Sequence, residues 1–403
     1  MIFPPSRSTI PVMVSVLLLI IIYLSFISLG LPDSLLGSAW PSMYGSLAVP
    51  LHYAGIPAMI VAGGTVISSI FSERIIRRLG TGPVTAISVF MTAAALIAAS
   101  LSPTFILFCL CAVPLGLGAG SVDAALNNYV ALHYKARHMS WLHGFWGVGA
   151  SIGPLIMSNH LINGEPWNLG YRTVGIIQCC LVAVLCISLP LWGKNTVPEG
   201  EAQKRTITYR ALLRLPGLKQ ALVTFFCYCS IEQIVGLWGA SFLVIARNIP
   251  PELAAQWIAL YYGGIMAGRF ISGFVTIKLN NRQMVRLGQA LVACGIAFLF
   301  LPFTAASLLP GFFIIGLGCA PIYPSLLHET PKNFGSEYSQ IIMGLQMATA
   351  YIGITVMPPL FGWIASHTNF NIFPVCIGIL LLLKTGMSET VNKKVDAGLK
   401  VNR

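Results

Sequence analysis

Long apolar runs alternate with short polar interruptions from one end of the chain to the other. Runs of roughly 18 residues or more recur, each long enough to cross about 30 Å of hydrocarbon as a helix. No stretch alternates apolar and polar residues over about ten positions, which argues against an outer-membrane barrel. The pattern predicts twelve helical spans, over 11–37, 50–72, 81–101, 103–133, 140–162, 169–193, 217–246, 252–277, 284–302, 304–328, 337–365 and 369–388. The first run, about Thr9 to Pro32, is longer than the roughly 7–15 apolar residues of a signal peptide and reads as a span. The longest polar stretch, Lys194 to Arg214, divides the spans into two sets of six. We therefore expect an all-α membrane protein with an N-terminal six-helix bundle over 1–193, a linker over 194–216 and a C-terminal bundle over 217–403.

The halves echo one another. Gly64-Thr-Val-Ile-Ser68 with Glu73-Arg74 aligns with Gly268-Arg-Phe-Ile-Ser272 and Ile277-Lys278, Gly116-Leu-Gly118 with Gly316-Leu-Gly318, and Gly149 and Pro154 with Gly353 and Pro358. Four blocks in order at a nearly constant offset indicate a duplication, as in parallel-repeat transporters. Gly116/Gly120, Gly149/Gly153 and Gly264/Gly268 are small-xxx-small pairs that mark close helix approach.

Composition sharpens the class. The chain is 56% hydrophobic and 9% charged, against about 25% charged in soluble domains. Its net charge of +12 does not point to a nucleic-acid partner, because all Lys and Arg except Arg172, Arg247 and Arg269 fall in alternate loops or at the termini. Lys384 to Arg403 read as the terminal cluster. That distribution follows the positive-inside rule and predicts both termini in the cytoplasm of a cell (plasma or inner) membrane protein. The ten cysteines form no CxxC pair and read as buried small hydrophobes. No metal or cofactor is expected.

Three carboxylates stand alone in the apolar runs: Asp33, Asp123 and Glu232. An unpaired charge at mid-bilayer costs roughly 2.5–3.5 kcal/mol on insertion scales, so such residues usually face a cavity. Asp33 follows Pro32, whose missing donor kinks the helix and opens a polar notch. Asn127 lies one turn from Asp123 on the same face, and Asn128 borders it. Glu232-Gln233 falls mid-span in the seventh run, and Arg269 is the one intramembrane cation of this reading. It serves as a gating clamp more readily than as a substrate contact. Further candidates to line a solute site are His143, Trp146, Trp238, Tyr262, Gln289, Tyr323 and Gln346, because aromatic faces stack on sugar rings while amides and imidazole bond hydroxyls. Single aromatics serve equally as interface anchors. After the second span, Glu73, Arg74 and Arg78 can lock neighbouring helix ends through ion pairs and helix dipoles.

Twelve spans, a central basic loop and the segment Ser72-Glu73-Arg74-Ile-Ile-Arg77-Arg78-Leu-Gly80 together resemble the major facilitator superfamily. That family's loop motif usually carries Gly at position 69 and Asp at position 73, where this chain has Ser69 and Glu73. Pro32-Asp33-Ser-Leu-Leu36, Asp123-Ala-Ala-Leu-Asn127 and Leu142-His143-Gly-Phe-Trp146-Gly-Val-Gly149 are similar to the fucose–galactose–glucose:proton symporters. The resemblance implies a proton-responsive pair at Asp33 and Asp123, a substrate role for Asn127, and action as a monomer. The expected function is proton-coupled import of a sugar or related small polar solute by alternating access. The alternatives are a proton-coupled exporter of amphipathic compounds, a sodium-coupled sugar carrier, and a channel or solute sensor. No HExxH or GxSxG occurs, so an enzyme is not expected.

Overall fold

A computed structural model describes residues 12–134, 136–192, 214–300 and 308–401. Most of the expected linker lies outside the described residues. All regular structure among the described residues is helical. In chain order the α-helices are α1 Val12–Asp33, α2 Leu35–Met43, α3 Gly55–Leu79, α4 Thr81–Ser100, α5 Phe105–His133, α6 Ala136–Ile162, α7 Trp167–Ser188, α8 Leu218–Arg247, α9 Pro251–Val275, α10 Asn281–Phe300, α11 Leu308–Cys319, α12 Ile322–Phe334, α13 Ser336–His367 and α14 Phe373–Val401. Among the described residues, eleven helices or stacked helix pairs are long and apolar enough to cross a membrane. The remaining long helix, α6, has 27 residues; its apolar face is interrupted by His138, His143, Ser151, Ser158, Asn159 and His160.

Two of the spans are broken, and proline explains both. Pro32 has no N–H to give the carbonyl four residues back, which is that of Ser28. Gln178 of α7 takes that carbonyl instead, through Nε2 at 2.7 Å. The helix turns at Ser34 and resumes as α2. In the tenth span, Pro321 starts a new helix after the turn that ends α11.

The predicted small-residue pairs are close crossing points. A Cβ on Gly116 or Gly120 would meet the backbone of Val61 or Thr65 in α3, and one on Gly149 would meet the Ile27 carbonyl of α1. One on Gly264 would meet the Phe313 carbonyl of α11. Glycine is required there because any side chain would push the helices apart.

At the end of the molecule away from the linker the halves are sealed against each other. Gly37 of α2 lies against the backbone of Gly236 and Leu237 in α8, and Gly55 against Pro359 of α13. Ser158 donates to the Glu252 carbonyl at 2.8 Å, and the rings of His52 and His367 are 6.0 Å apart. Leu237, whose backbone meets Gly37 across the seam, is buried. Toward the linker end, inward-facing Asp33, His143, Gln233 and Met347 are exposed. One half of the interface is dry and the other open.

Two expectations from the basic residues need correction. Lys384 is not a solvated terminal residue; it sits inside α14, fully buried. The twelfth helix also runs on to Val401, well past the expected end at 388.

Candidate solute-binding cavity

Between the halves lies a cavity of about 230 Å³. It continues toward the linker end as two recesses that share Glu232 and Arg269. Its polar wall comes from five helices. Asp33 stands where the broken first span exposes it, and the Trp146 indole of α6 donates to its Oδ2 at 2.8 Å. Asp123 lines the same space from α5 and accepts from Asn127 Nδ2 at 2.9 Å. That bond follows from the i, i+4 spacing. Glu232 and Gln233 project from the middle of α8, and Tyr261 of α9 donates to the Glu232 carbonyl at 3.0 Å.

Arg269 of α9 joins the two halves. Its Nη1 donates to the His143 carbonyl at 3.0 Å, its guanidinium lies 4.7 Å from the centre of the Trp146 ring, and its Nη2 is 3.9 Å from Glu232 Oε1. A guanidinium over an indole is attracted by the ring quadrupole, so Trp146 serves a carboxylate through its edge and a cation through its face. Tyr262 meets the same indole at 6.3 Å, edge to face.

The opposite wall is aliphatic: Pro57, Ala58, Val61 and Ala62 of α3, Ala95 and Ala99 of α4, and Ala112 and Leu115 of α5. A ligand here meets polar groups on one side and hydrocarbon on the other.

Of the residues singled out from sequence, Asp33, Asp123, His143, Trp146, Glu232, Gln233, Tyr262, Arg269 and Tyr323 line the cavity or its recesses. Others lie elsewhere. Trp238 is fully buried inside the C-terminal bundle, bonded to the Pro358 carbonyl at 2.7 Å and packed on Phe361 and Phe370. Gln346 is buried inside the C-terminal bundle and accepts from Thr330 at 2.9 Å. Gln289 is buried too, its Nε2 without a hydrogen-bond partner. Asn128 turns off the face of Asp123 and is exposed. Helix rotation separates these from the cavity residues, and composition carries no trace of it. Glu73, Arg74 and Arg78 are exposed at the linker end of α3. The sequence reading missed, among others, Thr65, bonded to the Gly116 carbonyl, and Tyr351. Neither carries a charge or breaks an apolar pattern, so nothing local marks them.

A helical chain of two bundles enclosing a cavity at their interface has the architecture of a secondary transporter. The family model of the Major Facilitator Superfamily matches residues 22–358, and the chain belongs to that superfamily. It is a multi-pass membrane transporter, not an enzyme. It is 25% identical over 291 residues to the glucose/mannose transporter GlcP of Bacillus subtilis, covering 69% of this chain and 71% of that protein. It is 22% identical over 421 residues to bypass of stop codon protein 6 of Saccharomyces cerevisiae, covering 95% of this chain and 83% of that one. The nucleoside transporter NupG has the same fold, with a TM-score of 0.75 over 93% of this chain and 98% of that structure at 12% identity.

Proposed function

We propose that the protein imports a sugar or related small polyol in symport with protons. The observation that carries this reading is that Asp33 and Asp123, on different helices, open onto one cavity together with Glu232. Acids in such a place can exchange protons with a bound solute's surroundings, and the Trp146 and Tyr262 rings offer stacking faces to a sugar. The resemblance to a glucose/mannose transporter points the same way. With the linker end cytoplasmic, as the basic residues imply, the sealed end faces outward and the structure is the inward-facing state. Arg269, bridging the halves, acts as a clamp that remakes its contacts as they rock. Glu73, Arg74 and Arg78 come into play when the linker end closes. A single chain encloses the whole cavity, so a monomer suffices.

A membrane potential of 100 mV supplies about 2.3 kcal/mol per charge, which sustains roughly 50-fold accumulation. The test has two stages. A thermal-shift screen of the purified chain against hexoses, deoxyhexoses, polyols and hydrophobic drugs identifies the solute, since a ligand of the native state raises the melting temperature. Proteoliposomes carrying Asp123→Asn should then lose proton-driven accumulation of that solute while keeping counterflow. Undiminished uphill uptake in the variant refutes the coupling role.

A further inference from the structure

The C-terminal bundle holds a charged side chain that the transport cycle above does not use. Lys384 is fully buried in α14, and its Nζ has no hydrogen-bond partner among the described residues. Its counterpart in the first half is Gln178, at the matching position counted from the helix starts at Trp167 and Phe373. Gln178 is bonded at both ends, accepting from Thr92 at 2.8 Å and donating to the Ser28 carbonyl at 2.7 Å. One bundle therefore uses a hydrogen-bonded amide where the other places a bare amine. An orphan of that kind calls for a reason.

The surroundings supply one. Lys384 lies near Cys227 of α8 and Cys319 of α11, with Glu389 on its own helix. Glu389 is already held by Arg286 of α10 in two bonds of 2.7 Å. Among the described residues no free counter-ion faces the amine. Ser388, Val391 and Asn392 follow Lys384 down one helical face, and all three line a pocket of about 30 Å³, space for a water or two, at the linker end of the bundle. Arg282, Glu329 and Asn333 line the same pocket, and Arg282 Nε, Glu329 Oε2 and Asn333 Oδ1 lack hydrogen-bond partners. The first two atoms form an ion pair at 3.6 Å, longer than a hydrogen bond. Polar atoms left open around a pocket draw water in, and water carries protons.

We propose that Lys384 is a protonation site separate from the central cavity, loaded from the linker end through this pocket. Binding a proton there places an uncompensated ammonium between α14 and α8, which loosens their packing; losing it lets the two helices close. The bundle's packing thereby follows the proton concentration on the linker side, whatever solute the central cavity carries.

The test is a melting series on the purified full chain from about pH 6 to 9, comparing wild type with Lys384→Met, since proton linkage makes stability depend on pH. The Met variant is expected to be more stable by several degrees at the acid end, with the gap closing as pH rises. A gap that does not change with pH is what a packing role alone produces, and it overturns the proposal. Lys384→Arg, which cannot shed its proton, should melt below wild type most clearly at the alkaline end; parity there also overturns it. Should the Met variant fail to fold, Ser388→Cys decides: a membrane-impermeant thiol reagent should label it from the linker side. Failure to label it from that side removes the route and the proposal with it.

Discussion

Trp146 donates its indole proton to Asp33 across 2.8 Å while Arg269 rests on its ring face at 4.7 Å. One side chain thus ties a carboxylate of the first span to a cation of the eighth. The arrangement couples the break in the first span to the interface between halves. A hydrogen bond to a charged group contributes about 1.5–3 kcal/mol. Trp146→Phe keeps most of the ring and removes the donor, so solute affinity should fall by roughly tenfold or more. Isothermal titration of the variant with the solute found by thermal shift checks this, and unchanged affinity shows the indole N–H to be dispensable.

Arg269 makes two contacts to the first half and one loose ion pair with Glu232. At 3.9 Å and partly exposed, that pair adds only about 0–1 kcal/mol to stability. Arg269→Ala should therefore melt within a few degrees of wild type yet lose most exchange activity. A large drop in melting temperature with activity retained would make Arg269 a structural residue instead of a clamp.

Trp238 provides the opposite case. It is packed inside the C-terminal bundle and donates to the Pro358 carbonyl, so Trp238→Ala should cost about 3–5 kcal/mol of stability through the cavity it leaves. Trp238→Phe should cost less, and neither should change which solutes bind. Altered selectivity in the Phe variant, measured by competition among hexoses, contradicts its assignment to packing.

Gly37 meets the backbone of Gly236 with no space for a side chain. Gly37→Val should hold the halves apart at the sealed end. A Leu237→Cys probe, buried in wild type, should then react with an impermeant thiol reagent from that side in the Val background only. Equal reactivity in both backgrounds would show that the seam opens by another route.

The twelve spans and the superfamily could be read from sequence because the signals are local: apolar length, proline, glycine spacing and a central run of charge. Asp33, Asp123 and Glu232 stood out for the same reason, as charges whose insertion cost demands a cavity. What sequence could not supply was rotation about each helix axis. Trp146 and Trp238 sit in similar apolar contexts, yet one faces the cavity and the other the interior of its own bundle. Gln346 and Gln289 look like solute ligands until α13 and α10 are seen to turn them into their own bundle. Lys384 was hidden by its company. It opens a run of basic residues that reads as solvated, and only the unbroken helix to Val401 shows that it precedes the exit from the bundle.

The carbonyl that Pro32 leaves free is held by Gln178, on a helix of the same bundle. Below that point the first span is fastened to its neighbours; above it, Leu35–Met43 leans on α8 of the other bundle. Ser34 is therefore an elbow with an anchored forearm. The upper segment touches both bundles, α8 across the seam and α6 of its own half, which makes the residue next to Asp33 the joint between the sealed end and the cavity.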